Sequence, residues 1–457
     1  MRTVVKIILI TFILVLFSAC GSTSSNSETV TDSRQSLGDV NFGLTENKIP
    51  TLVIIMNWID YSENDPLVWH NKIFNKEENS VNRWYYDSTD AEIEFVPIEE
   101  TSGTINDGVI IVNMNKSHPG GANDTTFRDI EITAAITSSV VVNSVDFASL
   151  DTDRDGDINY KELQIIFIVA GGEESYGDHE IKSIWAHAWS YESNNAPKVD
   201  GVNLMRYTGV DATSGSYAKF GATHGIDSSS SHKATIGIIA HELGHALLKL
   251  DDYYPTATNN SGSGLGSYDI MSGGSWARKN IDSYDGDTPV QFSAFNKIDA
   301  KLDTNVTIVS TSKNVTIKCS SNELLKLTTA QSNEYFLLEC RDSARVDSDR
   351  SFNHLDSTFT DNKLFALIYH VDENKNDNNE DGAQTSSNHY KVRLIERDTS
   401  NSLTYNDDVV ASYSDTYTDG YTIDSTKTKS YSGVLGYNIE VIDSDYTNRT
   451  MTFKITK

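Results

Sequence analysis

Hydrophobic and polar positions divide the chain into an apolar N-terminal stretch, a region of mixed strands and helices, and a β-rich region. Short apolar runs bounded by polar residues predict buried strands, most strongly over 52–56 and 163–170. Apolar residues at helical spacing predict a helix over 235–250. Further strands are predicted over 91–98, 109–113, 306–309, 315–317, 335–340, 364–370, 391–395 and 450–455, and further helices over 74–86 and 129–145. We therefore expect an α+β unit with a mixed sheet over 49–300, followed by an all-β, sandwich-like unit over 301–457.

Residues 1–19 have the features of an export signal. Arg2 and Lys6 precede an apolar run over 7–17, which is too short to cross a bilayer as a helix and is typical of a signal-peptide core. Small residues then precede Cys20, as in the signals of bacterial lipoproteins, whose cysteine is acylated after cleavage. Ordinary secretory cleavage beside a chance cysteine is the alternative. Residues 20–48 are rich in Ser and Thr and predict a flexible tether.

These features predict an exported bacterial lipoprotein that is anchored in a membrane through lipid on Cys20 and faces the periplasm or the extracellular space. Two other cysteines, Cys319 and Cys340, lie in β-like runs. An oxidising compartment would allow them to form a disulfide, and two buried thiols are the alternative.

The net charge of the chain limits the classes of partner that it can bind. Lysine and arginine number 37 against 65 aspartate and glutamate residues, which gives a net charge of −28 over 457 residues. Nucleic acid would be repelled by so acidic a protein and is excluded as a partner. We expect a monomer that acts on protein or peptide substrates.

A zinc-binding pattern lies inside the helix predicted over 235–250. His241 and His245 are four residues apart, so both imidazoles lie on one face of the helix and can bind one ion. Glu242 is adjacent to the first histidine, where it can accept a proton from a water that the metal activates.

A catalytic zinc site needs a third protein ligand and an open position. Asp251 follows the first histidine by ten residues and is the expected ligand, with Asp252 as the fallback. Further on, Met271 lies among turn formers over 266–276 and can form an apolar floor beneath a metal site, although composition alone favours an ordinary core methionine in a loop.

The segments HELGHALLKLDDYY (241–254) and SYDIMSGGSW (267–276) resemble the immune inhibitor A family of bacterial zinc metallopeptidases. The likeness extends to IWAHAW (184–189), PVQFSAF (289–295) and two segments of the β-rich region, NEYFLLE (333–339) and IYHVD (368–372). That family is metzincin-like, with a HExxHxxGxxD helix and a Met-turn, and the resemblance implies a zincin-type catalytic domain.

Carried over to this chain, the resemblance makes His241, His245 and Asp251 the zinc ligands, Glu242 the general base and Met271 the Met-turn residue. It implies a zinc-dependent endopeptidase that hydrolyses peptide bonds in extracellular proteins through a metal-activated water. Tyr253, Tyr268 and Tyr284 are candidates for stabilising the oxyanion.

The chain departs from the family pattern at Leu248, where the family usually has glycine. Glycine permits the positive φ of a sharp exit from a helix, so leucine puts the position of Asp251 in question. The alternative function is therefore a weakly active or inactive zincin scaffold that serves as a calcium-stabilised surface-binding lipoprotein. A hydrolase of non-peptide substrates also stays open.

Residues 151–162 fit a twelve-residue EF-hand calcium loop, with glycine at loop position 6 and glutamate at position 12. The predicted calcium-binding residues are Asp151, Asp153, Asp155, Asp157, Asn159 and Glu162. Because a strand follows instead of a second helix, we expect a structural calcium ion and not a sensor. A second acidic stretch over 372–381 fits no single template and leaves a second calcium site open.

Overall fold

A computed structural model describes the chain over 48–121, 127–176, 181–192, 194–225, 231–256, 264–279, 283–342, 364–378, 389–395, 422–423, 425, 428, 430–431 and 436–457. The predicted signal, Cys20 and all but the last residue of the tether lie outside the described residues. Within them, no helix has both the length and the apolar character that crossing a bilayer requires.

The described residues contain seven α-helices, most of them short. They are α1 (Pro66–Phe74), α2 (Val81–Ser88), α3 (Thr133–Ile136), α4 (Ser139–Val142), α5 (Phe147–Leu150), α6 (Ile236–Leu248) and α7 (Ala294–Asp299). The prediction of one helix over 74–86 was wrong, because Asn79 has a φ of 62° and the Ser80 side chain caps a new helix by accepting from Arg83 N. The helix predicted over 129–145 is also interrupted: a π-helical segment, Phe127–Ile132, runs into α3, and α4 follows.

Within the described part of the chain, eleven strands precede residue 300. They are β1 (Lys48–Asn57), β2 (Glu94–Pro97), β3 (Val109–Asn113), β4 (Asp157–Ile158), β5 (Gln164–Glu173), β6 (Ser183–Ile184), β7 (His187–Trp189), β8 (Lys198–Val199), β9 (Val202–Leu204), β10 (Tyr217–His224) and β11 (His232–Lys233). Eight of them form one sheet whose main order is β11-β10-β5-β1-β2, and β4, β9 and β8 form a small separate sheet.

The centre of the large sheet is parallel, because β5 pairs in parallel with both β1 and β10. On the far side of β10, β7 and β11 pair antiparallel with it. All ten residues of β5 are buried. Ile166 and Ile168 face the hydrophobic cluster that contains α6, whereas Ile165 and Phe167 face a second cluster on the opposite side of the sheet. The sheet is thus covered on both faces, as a parallel sheet must be.

The β-rich region contains nine described strands. They are β12 (Asn305–Val309), β13 (Lys313–Lys318), β14 (Glu323–Thr328), β15 (Glu334–Asp342), β16 (Leu364–Asp372), β17 (Val392–Leu394), β18 (Thr422–Ile423), β19 (Asn438–Asp445) and β20 (Thr450–Thr456). They form a five-stranded sheet, β12-β14-β15-β16-β17, and a four-stranded sheet, β13-β20-β19-β18. Residues of both sheets share one hydrophobic cluster, which also contains a disulfide between Cys319 and Cys340. The predicted disulfide is therefore confirmed.

The other face of the five-stranded sheet packs against the α/β region that precedes residue 300. Tyr335, Leu337 and Phe365 belong to the same hydrophobic cluster as α6. Mixed α/β structure is confirmed, while the zincin arrangement, the sandwich and the boundary at residue 300 remain predictions. The core itself runs across that boundary.

Candidate metal centre

The helix α6 carries both histidines of the zinc-binding pattern and is almost wholly buried. Every residue from Ile236 to Leu248 is buried except His245, which is partly exposed. After Leu248 the chain leaves the helix through Lys249, which is left-handed with φ 57°. Lys249 N donates to His245 O at 3.2 Å, the 5→1 bond of a left-handed helix cap, and Leu250 N donates to Gly244 O at 3.3 Å.

Each imidazole of the pair is oriented by a backbone carbonyl. His241 Nδ1 lies 2.8 Å from Ile270 O, and His245 Nδ1 lies 2.6 Å from Leu250 O. A carbonyl only accepts, so both Nδ1 atoms carry the hydrogen and both Nε2 atoms present a lone pair. The two Nε2 atoms lie 3.2 Å apart. Metal-binding histidines generally donate a hydrogen bond in this way from the ring nitrogen that does not bind the metal.

Asp252 completes a triangle of ligand atoms with the two imidazoles. Its Oδ1 lies 3.2 Å from His241 Nε2 and 3.3 Å from His245 Nε2. Tetrahedral zinc with bonds of about 2.0–2.1 Å has ligand atoms about 3.3–3.4 Å apart. Three lone pairs converge here at the spacing that zinc requires, and without a cation they would repel one another. The residues therefore fit a zinc ion.

The electrostatics of the triangle favour a positive charge. Burial lowers the pKa of both imidazoles, but the nearby Asp252 carboxylate raises it by more. Burial likewise opposes the charge of Asp252, yet the two imidazoles hold the pKa of its carboxyl well below the ordinary value. The carboxylate is thus an anion in a buried setting and can serve as a ligand.

The structure brings Asp252, the fallback residue, into the triangle and leaves the expected Asp251 outside the group. The physical reason is the helix end: Leu248 stays helical, and the left-handed residue is Lys249, one position later than the family's glycine. Asp252 follows the left-handed residue by three positions, the interval that separates position 248 from Asp251. The departure at Leu248 therefore moves the carboxylate by one residue.

Glu242 is buried beside the triangle, near the charged groups of Asp252, Glu173 and Lys219. Its side chain is buried, and its Oε2 has no hydrogen-bond partner within the described chain. Burial, together with the charges of Asp252 and Glu173 and against that of His241, raises the pKa of Glu242 to about 8. A carboxyl group with a raised pKa is suited to accepting and returning a proton.

Met271 lies under the helix, where the Met-turn interpretation places it. It is fully buried, and a Cβ on Gly244 would lie only 2.5 Å from Met271 Sδ. Its backbone is held from both sides, since Met271 N donates to Asp269 Oδ1 at 2.6 Å and Tyr253 N donates to Met271 O at 2.8 Å. The preceding carbonyl is the one that orients His241.

The comparison with protein families agrees with this geometry. Residues 75–304, about half of the chain, match the family described as immune inhibitor A peptidase M6, catalytic domain. The chain belongs to this family.

Two curated relatives are similar to it. Immune inhibitor A of Bacillus thuringiensis subsp. alesti is 31% identical over 173 residues, which cover 36% of this chain and 23% of that protein. The pre-pro-metalloprotease PrtV of Vibrio cholerae serotype O1 (strain M66-2) is 29% identical over 198 residues, covering 39% of this chain and 19% of that protein. The matched part thus spans less than a quarter of either relative.

In this member of the peptidase M6 family, the predicted calcium loop brings three carboxylates together. Oxygens of Asp151, Asp153 and Asp155 all lie within 4.8 Å of one another. Gly156 has a φ of 87° and donates to Asp151 Oδ2 at 3.1 Å, which folds the loop around the group. Burial and then the neighbouring carboxylates raise the pKa of Asp153. The cluster thus has the repulsion that a divalent cation would relieve.

The other three predicted calcium residues make different contacts. Asp157 pairs with Arg206 at 2.9 Å, Glu162 Oε1 accepts from Thr152 N at 2.7 Å, and Asn159 Nδ2 donates to Glu162 Oε2 at 2.8 Å. The structure therefore gathers half of the predicted set, and Glu162 closes the loop through hydrogen bonds.

The second acidic stretch, 372–381, shows no such cluster in its described part, which ends at residue 378. Asp372 Oδ2 lies 2.9 Å from His389 Nε2, and Asp372 Oδ1 accepts from Asn374 N at 3.0 Å. Both oxygens of this aspartate are already paired.

The three tyrosine candidates differ in their surroundings. The Tyr253 hydroxyl donates to Asp299 Oδ2 at 2.5 Å, and Tyr268 is fully buried. Tyr284 is 52% exposed and stacks on His232, with ring centroids 3.6 Å apart. Tyr253 is thus engaged elsewhere, and Tyr284 is the most accessible of the three.

Sequence reasoning missed Glu173, the last residue of β5. Its fully buried carboxylate accepts from Gly221 N at 2.7 Å, Ala186 N at 3.0 Å and Ser175 Oγ at 2.7 Å. Its hydrogen bonds connect the end of β5 to β10 and to the segment that leads into β7. Burial raises the pKa of Glu173, whereas these hydrogen bonds lower it. A glutamate three residues beyond the most apolar predicted strand, 163–170, was the available signal.

The alternative ligands Asp251 and Asp252 give a matched pair of variants. We expect Asp252→Asn to weaken zinc binding by at least the roughly 10–100-fold that loss of an outer-shell partner costs, because an amide replaces the only anionic ligand. Asp251→Asn should keep the zinc content of the wild type. Equilibrium dialysis with metal analysis measures both, and greater zinc loss in Asp251→Asn would overturn the assignment.

Proposed function

We propose that this member of the peptidase M6 family is a zinc-dependent endopeptidase that hydrolyses peptide bonds in extracellular proteins. The observation that supports the proposal is the triangle of His241, His245 and Asp252 with the buried Glu242 beside it. The names of the relatives, an immune inhibitor A and a metalloprotease, agree with it.

The chemistry divides between the metal and Glu242. Zinc, when bound, supplies activation of a water and polarisation of the scissile carbonyl. Glu242 accepts a proton from the attacking water and delivers it to the leaving amine, so that the carboxylate is regenerated after each cycle. Its burial favours the protonated form that this cycle needs halfway through. His241 and His245 hold their rings in place through Ile270 O and Leu250 O.

The alternative of an inactive scaffold was motivated by Leu248. The left-handed conformation of Lys249 and the position of Asp252 answer that objection physically, because a carboxylate still reaches the imidazoles. We therefore favour an active enzyme.

We further propose that the protein is a lipoprotein attached through Cys20, on the pattern of the first twenty residues. A calcium ion bound by the 151–162 loop is also proposed. It would rest on Asp151, Asp153 and Asp155, and it would stabilise the loop that precedes β5.

The general base is tested by Glu242→Gln, which keeps the size of the side chain and removes its ability to accept a proton. Casein and peptide cleavage should fall by at least about 10²-fold, while the zinc content stays that of the wild type. Glu192→Gln, an exposed glutamate, is the control. Equal peptidase activity in the two variants would refute the mechanism, and cleavage of esters but no peptides by the wild type would indicate another substrate class.

Calcium should raise the melting temperature of the wild type, because a ligand that binds only the folded state stabilises it by about 2.7 kcal/mol at one hundred times its Kd. In Asp153→Asn/Asp155→Asn the shift should vanish. The control Asp146→Asn, outside the loop, should respond like the wild type. Thermal unfolding with and without chelator measures this, and identical shifts in all three proteins would contradict a site in the loop.

The anchor is tested by Cys20→Ala in the native host. Without the thiol no lipid can be attached, so the protein should move from the membrane fraction to the soluble fraction and lose labelling by a palmitate analogue. Ser24→Ala in the tether is the control. An unlabelled wild type, or a membrane-bound Cys20→Ala, would exclude this anchor.

A further inference from the structure

A buried ion pair of the five-stranded sheet contacts the segment just before α7. Arg341, in β15, is 1% exposed and donates to Glu339 Oε1 from Nε at 3.1 Å and from Nη2 at 2.8 Å. Tyr369 of the neighbouring β16 donates its hydroxyl to the same oxygen at 2.6 Å. These residues lie beyond the segment matched to the peptidase family, which ends at residue 304.

One peptide group connects this pair to the turn beneath the metal. Arg341 Nη2 donates to Phe292 O at 3.3 Å. The N–H of the same peptide unit, Ser293 N, is shared between Asn296 Oδ1 at 2.9 Å and Asp269 Oδ2 at 3.2 Å. The guanidinium polarises the carbonyl end of that unit, which strengthens the donor at its other end. Arg341 and Asp269 are also close enough for their charges to interact.

Asp269 in turn sets the backbone that touches a zinc ligand. Its other oxygen accepts from Met271 N at 2.6 Å, across the residue whose carbonyl orients the ring of His241. Asp269 is fully buried, and the Ser293 side chain also hydrogen-bonds to it. The geometry makes an uninterrupted series of contacts from Arg341 to the His241 imidazole.

We propose that Arg341 is a positioning residue of the metal centre, acting through the Phe292–Ser293 peptide and Asp269 to hold the Ile270 carbonyl against His241. The proposal rests on the zinc site proposed above. It means that the β-rich region supplies a part of the centre that the matched catalytic segment does not contain.

Two variants test the proposal in the full chain. Arg341→Met removes the guanidinium, and Glu339→Met/Arg341→Met removes both charges, which avoids an unpaired buried carboxylate if the single variant does not fold. The control is Arg449→Leu. It breaks the pair between Arg449 and the buried Asp342, the next residue of β15.

The first measurement is amide hydrogen exchange of the backbone over 269–272 in metal-free protein. We expect at least about tenfold faster exchange in the Arg341 variants than in Arg449→Leu, since loss of the support opens the turn locally. The second is the zinc dissociation constant, expected to be weaker by about 10–100-fold. Asp269→Asn should weaken zinc binding too, and adding Arg341→Met to it should cost little more.

Unchanged exchange over 269–272, or equal effects in Arg449→Leu, would overturn the proposal. Fully additive effects of Arg341→Met and Asp269→Asn on exchange would do the same, because two residues in one series of contacts are coupled. If the wild type binds no zinc, the proposed function fails, and the exchange comparison still decides whether Arg341 holds the turn.

Discussion

The two hydrogen bonds from imidazole Nδ1 atoms to backbone carbonyls are the constraint on which the candidate centre depends. Ile270 O and Leu250 O belong to segments outside the helix, so each ring takes its orientation from a different loop. The helix alone would bring two histidines to one face, but it would leave their rings free to rotate. The geometry of the candidate centre therefore depends on how three segments meet.

The periodicity of apolar residues in the sequence was sufficient to predict much of the fold. The helix α6 and the strand β5 follow from their apolar patterns, since burial on one or both faces dictates those patterns. The i, i+4 spacing of His241 and His245 was sufficient to predict two candidate ligands. The third ligand could not be derived in the same way, because it depends on the φ of Lys249, and lysine gives no local signal for the left-handed region.

Hydrophobic patterning gave the least information about charged residues that are buried in the core. Glu173, Asp269 and Arg341 lie in the core, and each binds backbone groups that the regular ladders and helices leave unpaired. A scale of hydrophobicity assigns such residues to the surface. Their burial becomes intelligible only when the partners, distant in sequence, are known. These residues also connect the sheet, the turn and the β-rich region, whose apolar side chains already share one cluster.

The left-handed Lys249 has a consequence for how such sites are recognised. A motif counted from the first histidine identifies the acidic residue by its position in the sequence. Its place in the structure, however, depends on where the helix ends and how the chain leaves it. When the helix is one residue longer, the side chain that reaches the imidazoles comes from the next residue in the sequence. An alignment that fixes the columns of this motif therefore selects Asp251, whereas counting from the residue of positive φ selects Asp252, the carboxylate that lies beside the two imidazoles.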